Sequence, residues 1–336
     1  MYAKVKDIAK RAGVSSATVS RVLSKSAPVS EERATKVWNV QDELDYYPNF
    51  TARNLRRGTT TTVGFILPNV ASSFFGKMAF AIEAELRKKN HDLVIYNTER
   101  NKDLELRALK VLISQKVVGI IFAPINPTNV LASKIRKVFK IPLVVVDNKL
   151  KDLQVPAVLH EDLDGARKLT SHLISHGHRK IAFLGGPLIE TSCSRRLEGY
   201  KKALAENDIP LSEHLIKTGR WGDVESGLEM TRQLLELNEK PPAIFSANTY
   251  TTVGSLLAFQ EKKIKVPEDV ALVSFDNLEF CSVLNPPLTT LTEANIKIGK
   301  TAARLLLKWI KTGNFDSKEI LIGSEIVVRE SCGCTM

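Results

Sequence analysis

The sequence predicts an α/β protein in two parts: a small, basic, helical head over residues 1–47, and a two-lobed region with parallel sheets over residues 61–330. Three observations predict it. Lys and Arg outnumber Asp and Glu by eleven to six in residues 1–58, which carry nearly half of the chain's net charge of +11. Apolar residues recur at helical spacing as far as Pro48, and Gly58 with the threonine run 59–62 then reads as a linker. From Val63 onward, short apolar runs alternate with amphipathic helical stretches, the pattern of parallel sheets covered by helices on both faces.

The bulk numbers fit this division. A length of 336 residues suits two or three domains, and 43% hydrophobic with 25% charged residues describes folded cores, not disorder. No apolar segment follows Met1-Tyr2-Ala3-Lys4 and no run reaches the length of a membrane span, so the expected location is cytoplasmic. Cys193, Cys281, Cys332 and Cys334 lack paired zinc spacing and are expected to be free thiols, with Cys332-Gly333-Cys334 as a metal or redox pair the alternative; neither metal nor cofactor is expected.

In the head, Val5, Ile8, Ala9 and Ala12 mark a first helix, which Gly13 ends. Ser15 is placed to cap a second helix with Val19, Val22 and Leu23 as its buried stripe. Ser30 is placed to cap a third, running to about Asp45, with Ala34, Val37, Trp38, Leu44 and Tyr47 on its apolar face. Further on, strands are expected at Val63–Leu67, Asp92–Tyr96, Val118–Phe122, Leu143–Val146, Ala157–Leu159, Ile181–Leu184, Ala243–Ser246 and Ala271–Phe275, with one more at about 320–328. Helices are expected at 74–89, 102–115, 165–176, 194–207, 224–237 and 251–262, with a last one from Ile296 to Ile310.

Two short helices around a glycine turn form the helix-turn-helix pattern, whose second helix presents its exposed N-terminal residues to the DNA major groove. Here those are Ser16, Ala17, Thr18, Ser20 and Arg21. Hydroxyls suit phosphate oxygens, a methyl suits thymine, and Arg suits guanine O6 and N7. On pattern alone, DNA binding is the favoured reading and a helical hairpin without a nucleic-acid role is the alternative. Enzyme signatures are missing: there is no phosphate-binding G-x-x-x-x-G-K-[ST] and no G-x-S-x-G, and Gly185-Gly186-Pro187 is no dinucleotide fingerprint. His172 and His176 are four apart on a helix without an H-E-x-x-H pattern; with His160 and His178 they read as surface or helix-end residues.

The stretch from Val5 to Leu23 (VKDIAKRAGVSSATVSRVL), with Tyr47-Pro48-Asn49 leading to Ala52-Arg53-Asn54-Leu55, closely resembles the N-terminal signature of the lac repressor (LacI/GalR) family, and the resemblance extends over essentially the whole chain. It implies a DNA-binding transcriptional repressor, not an enzyme, built as a helix-turn-helix head (1–47), a hinge helix and linker (48–60), and a periplasmic-binding-protein-like sensor (61–330). The sensor's lobes are then expected at about 61–159 with 289–320, and 160–288 with 321–330. By resemblance, Ser16 and Ala17 read bases, Thr18 and Ser20 contact phosphates, Arg21 reads guanine, and Ser30 joins the DNA-binding set. Asn49, Ala52 and Arg53 fall on the hinge helix, where Leu55 is the wedge into the minor groove.

The resemblance places a small effector, a sugar or sugar derivative, between the lobes. Its contacts would be Phe74, Phe75, Asp147, Ser192, Arg196, Trp221, Asn248 and Asp276. Carboxylates, amides and the arginine fork suit sugar hydroxyls, and aromatic faces suit the ring. The alternative is a purine or a phosphorylated carrier protein as corepressor. Two departures bear on this. Thr249 stands where the family usually has Asp after Asn248, and Glu190 stands near a position that is basic in some purine-sensing relatives. Arg304 and Lys308 fall where carrier-protein contacts lie, but Ile296-Lys297 replaces the usual Tyr-Asp there. Without a C-terminal heptad tail, the expected assembly is a homodimer on a pseudopalindromic operator. Whether the effector releases or recruits the operator is not encoded in these residues.

Overall fold

The computed structural model describes residues 3–24, 27–46, 60–125, 141–150, 153–220, 222–316 and 318–334. The chain divides into two compact units, Met1–Thr60 and Thr61–Met336.

In the first unit, helices α1 (Val5–Ala12), α2 (Ser16–Ser24) and α3 (Glu31–Glu43) bury a common core of Ile8, Ala9, Ala12, Val19, Val22, Val37 and Val40. Gly13 takes φ +65° after α1, a conformation that costs glycine nothing. The Ser15 hydroxyl accepts from the Thr18 amide at 3.1 Å, the expected cap of α2. The third helix corrects the sequence reading twice. Ser30 occupies the N-cap position but its side chain makes no capping bond. Trp38 is 36% exposed, and Val40 takes its place inside. Tyr47 lies outside the described residues.

Among the described residues, the second unit holds two six-stranded sheets. The first sheet contains β1 (Thr62–Leu67), β2 (Asp92–Asn97), β3 (Gly119–Phe122), β4 (Leu143–Val146), β5 (Ala157–His160) and β11 (Glu319–Ile322), in spatial order β11-β5-β4-β3-β1-β2 and parallel throughout. The second contains β6 (Ile181–Gly185), β7 (Ile216–Thr218), β8 (Ala243–Ser246), β9 (Ala271–Ser274), β10 (Thr289–Leu291) and β12 (Ile326–Val327), in order β12-β10-β9-β8-β6-β7. Only its β10–β12 pair is antiparallel. Continuous apolar runs make these strands because both faces are covered: β3, β4 and β8 are buried at every residue.

Helices α4 (Ser73–Arg87) and α10 (Asn295–Thr312) cover one face of the first sheet, and α5 (Lys102–Ser114) covers the other. In the second lobe, α6 (Asp162–Ser175) and α7 (Thr191–Ala205) cover one face, and α8 (Val224–Leu235) and α9 (Thr249–Lys262) the other. Strand order reverses at β1 and at β6. The crevices beyond the carboxyl ends of these strands are where open parallel sheets hold ligands.

The expected lobe boundaries need correction. Residues 289–291 form β10 in the second sheet, not part of the first lobe, and the first lobe's β11 continues to Ile322. The single strand expected at 320–328 is two strands in different sheets, because Gly323-Ser324-Glu325 carries the chain across between lobes. The three-residue β7 and β10 were not anticipated; runs so short leave no periodicity to read.

Candidate functional site

On the second helix of the head, Ser16, Ala17, Ser20 and Arg21 are exposed. Thr18 is half-buried, and its hydroxyl lies 2.9 Å from that of Ser15. Ser30 is exposed at the start of α3. Asn49, Ala52, Arg53 and Leu55 lie outside the described residues, as does Trp221.

Between the lobes of the second unit, the centre of the site is Arg196, 4% exposed on α7. Its Nε donates to Asp162 Oδ1 at 2.7 Å, and Nη1 donates to the Ala247 carbonyl and lies 3.8 Å from Asp276 Oδ1. Its guanidinium sits 3.7 Å over the Phe275 ring. Burial pulls the Arg196 pKa down, but the Asp162 and Asp276 charges outweigh it and the net shift is upward, so the cation is retained. Asp162 opens α6, where a carboxylate suits the helix dipole. The α6–α7 separation is set by Gly199, one turn beyond Arg196: a Cβ there would meet the Leu163 carbonyl at 2.1 Å.

The other carboxylates are held locally. Asp276 Oδ2 accepts from the amide and hydroxyl of Thr249 at 2.8 and 2.9 Å, so Thr249 serves as a donor to the site in place of a second carboxylate. Asp147 follows β4 at φ +68°, a conformation rare for a side chain with a Cβ and one that recurs at functional sites. Burial, then the Asp162 and Glu190 charges, push its pKa up to about 7.

Phe74 and Phe75 meet edge-to-face at 5.1 Å and line the cavity with Asp147, Arg196 and Asp276. Phe75 belongs to the first lobe's core as well. The structure therefore brings five of the eight expected effector contacts to one cavity. Two others do not line it. Asn248 caps α9, its Oδ1 accepting from the amides of Tyr250 and Thr251 at 2.9 and 3.0 Å. Ser192 is buried against Asn148, to whose Oδ1 its amide and hydroxyl donate at 3.2 and 3.4 Å.

Several site residues escaped the sequence reading. Arg100 pairs with Glu190 across the cleft, and Asn69 donates to the Tyr250 hydroxyl at 3.1 Å; with Asn148–Ser192 these bonds tie one lobe to the other. His160 is not a surface residue: it is 6% exposed, lines the adjoining compartment with Phe275, and bonds the Ser324 hydroxyl through Nε2 at 2.8 Å. Its Nδ1 has no hydrogen-bond partner among the described residues. Burial, with the Arg196 charge, lowers its pKa to about 3, which keeps the ring neutral. Buried Glu105 accepts from the Ile125 amide at 2.8 Å, and burial raises its pKa to about 7. The position of His160 at a strand end was the available signal; the cross-lobe pairs had none, because they join residues 44 to 181 apart. On α10, Arg304 is engaged by Glu85 of α4 at 3.1 Å.

A helix-turn-helix head joined to a two-lobed sensor with a charged, aromatic cleft defines a ligand-responsive DNA-binding regulator. The comparisons agree. Residues 4–49 match the bacterial regulatory proteins of the lacI family, and residues 170–332 match a periplasmic binding protein-like domain. The chain is 32% identical over 329 residues to the HTH-type transcriptional repressor PurR of Vibrio atlanticus (strain LGP32), covering 98% of each. It is 32% identical over 332 residues to Catabolite control protein A of Priestia megaterium, covering 98% of this chain and 99% of that one. Among solved structures, the lac repressor dimer bound to operator and the anti-inducer ONPF superposes with a TM-score of 0.88 at 26% identity, over 99% of both chains. The complex of the transcriptional regulator CelR with cellobiose gives a TM-score of 0.75 at 26% identity, covering 98% and 99%. The chain belongs to the LacI family: it is a DNA-binding transcriptional regulator with a ligand-binding sensor domain, and not an enzyme. No helix among the described residues is long and apolar enough to cross a membrane.

Proposed function

We propose that this protein is a cytoplasmic homodimeric repressor whose affinity for a pseudopalindromic operator is set by a sugar or sugar derivative bound between the lobes. The observation that carries the effector reading is the buried Arg196, held between Asp162 and Asp276 over Phe275 in a cleft that also presents Asp147, Glu190, Arg100 and three aromatic rings. Polyol hydroxyls both donate and accept, and this cleft offers fixed carboxylate acceptors, guanidinium donors and apolar faces. The likeness to the cellobiose-bound CelR structure supports the same reading. Asp147, Asp276, Arg196, Phe74 and Phe75 are assigned to the ligand, His160 Nδ1 is added as a polar contact, and Trp221 is kept as a stacking residue. Asn248 and Ser192 are reassigned to shaping the cleft. A ligand entering here displaces or bridges the Arg100–Glu190 pair, and so changes how the lobes are tied.

In the head, Ser16, Ala17 and Arg21 are assigned to base edges and Thr18, Ser20 and Ser30 to phosphates. Asn49, Ala52, Arg53 and Leu55 are assigned to DNA contacts of the hinge segment, with Leu55 entering the minor groove. A thermal-shift screen of the full chain against pentoses, hexoses, disaccharides, their phosphates and nucleobases tests the effector class. A ligand that binds the native state raises the melting temperature with its concentration. A shift with a sugar is expected; a shift confined to nucleobases would overturn the sugar reading.

A further inference from the structure

The two ends of the second lobe's α6 meet different partners. Its first residue, Asp162, holds Arg196 in the cleft, while its last turn carries His172 and its C-cap is His176. Four residues apart, these two rings share one face of the helix, with centroids 4.7 Å apart. Against that face lies the end of the chain. The turn Glu330–Cys332 is anchored by Ser331, whose hydroxyl donates to the Leu272 carbonyl at 2.6 Å and accepts from the Thr289 amide at 2.8 Å. This pins Cys332, fully buried, beneath α6. Gly333 at φ +90° then folds the chain back and brings Cys334 to the same place.

The four donor atoms converge. His172 Nε2 is 3.2 Å from Cys332 Sγ, His176 Nε2 is 3.0 Å from Cys334 Sγ, the two sulfurs are 3.3 Å apart, and His172 Nε2 is 3.8 Å from Cys334 Sγ. All four lie within 4.8 Å of one another. A tetrahedral zinc ion with ordinary Zn–S and Zn–N bonds sets its ligands about 3.3–3.8 Å apart. The sulfurs are too far apart for a disulfide, whose bond is about 2.05 Å, and both cysteines are free. Among the described residues, no other group of three or more His, Cys, Asp and Glu has this geometry.

We infer that His172, His176, Cys332 and Cys334 form a closed tetrahedral site for a borderline-soft divalent metal of the zinc class, which staples the end of the chain to α6. Two thiolates and two imidazoles with no carboxylate select such a metal over calcium or magnesium. Four protein ligands leave no open position, so the site is structural and not catalytic. The ion takes both cysteines as thiolates and both histidines as neutral imidazoles. The sequence offers Cys332-Gly333-Cys334 as a metal or redox pair but not its completion, because the His pair is about 160 residues away and neither half suffices alone.

The test uses the tag-free, metal-free full chain under reducing conditions, titrated with cobalt(II) and then with zinc(II). One equivalent of cobalt is expected to give a thiolate-to-cobalt charge-transfer band and the strong visible bands of a tetrahedral ion, and zinc is expected to abolish both. Cys334→Ser and His176→Asn, both outside the buried core, are expected to weaken binding by at least about 100-fold, while keeping the wild-type circular dichroism spectrum and DNA affinity. Zinc is expected to raise the melting temperature of the wild type alone. Absence of the cobalt bands, or bands unchanged in both variants, would overturn the site. So would loss of two titratable thiols on mild oxidation in a protein that binds no metal when reduced, since Cys332 and Cys334 would then be a redox pair.

Discussion

At the scale of single residues, the sensor concentrates ionisable groups where water is scarce: Arg196 and Glu190 meet partners of opposite charge, whereas burial pushes Asp147 and Glu105 towards the neutral form. Arg196 is the pivot. Arg196→Lys keeps a cation for Asp162 but loses the fork and the stacking on Phe275, and the two cations are not interchangeable at such a site. Titration calorimetry with the identified effector is expected to show at least about tenfold weaker binding. Glu105 gives a pH test. Its folded-state pKa, raised by burial to about 7, lies above its ordinary value of 4.5, so the folded chain holds a proton that the unfolded chain releases between those values. Its ionisation therefore costs stability progressively as pH rises from about 4.5 to about 7, with no further change above. Glu105→Gln keeps an acceptor for the Ile125 amide, so it is expected to match wild type near pH 4 and to exceed it by about 1–3 kcal/mol at pH 8 in denaturant melts. Residue types alone pointed to Arg196, Asp276, Asp147 and the Phe pair. They could not show that Asn248 is used up as a helix cap, since Asn at the start of a helix fits a cap and a ligand contact equally well.

At the scale of elements, caps and close packing fix where the functional side chains stand. Ser15 caps the recognition helix and Ser30 caps nothing, although both read as caps in the sequence. Ser15→Ala is expected to lower the stability of the head by about 1 kcal/mol, whereas Ser30→Ala should leave the melting curve unchanged and weaken only DNA binding. A loss of stability with Ser30→Ala, seen by calorimetry, would show a structural role for it. Gly199→Ala is the matching test in the sensor. The added methyl has no room against the Leu163 backbone, so α6 and α7 must part, at a cost of about 1–3 kcal/mol. Because those helices carry Asp162 and Arg196, effector affinity is expected to fall with stability. Most elements were legible because their apolar runs or stripes are long. The split of the last strand was not, since one apolar stretch serves two sheets and only the lobe crossing at Gly323-Ser324-Glu325 reveals it.

At the scale of the whole molecule, the charge of the head and the ties across the cleft do different work. Eleven Lys and Arg against six Asp and Glu in residues 1–58 predict binding dominated by counterion release. Operator affinity measured by anisotropy is expected to fall by about 100-fold or more between 50 and 200 mM salt, and a salt-independent affinity would contradict this. Control of DNA affinity by ligand in the sensor is what the proposed function requires. Its most direct test is to select duplexes from a random pool with the full chain, then measure the affinity of the enriched sequence with and without the sugar found by thermal shift. A pseudopalindrome is expected, with affinity changed at least about fivefold by the sugar in the wild type, and with about tenfold more sugar needed for the same change in Arg196→Lys. Failure to enrich any sequence, or an affinity indifferent to a sugar that demonstrably binds the sensor, would contradict it.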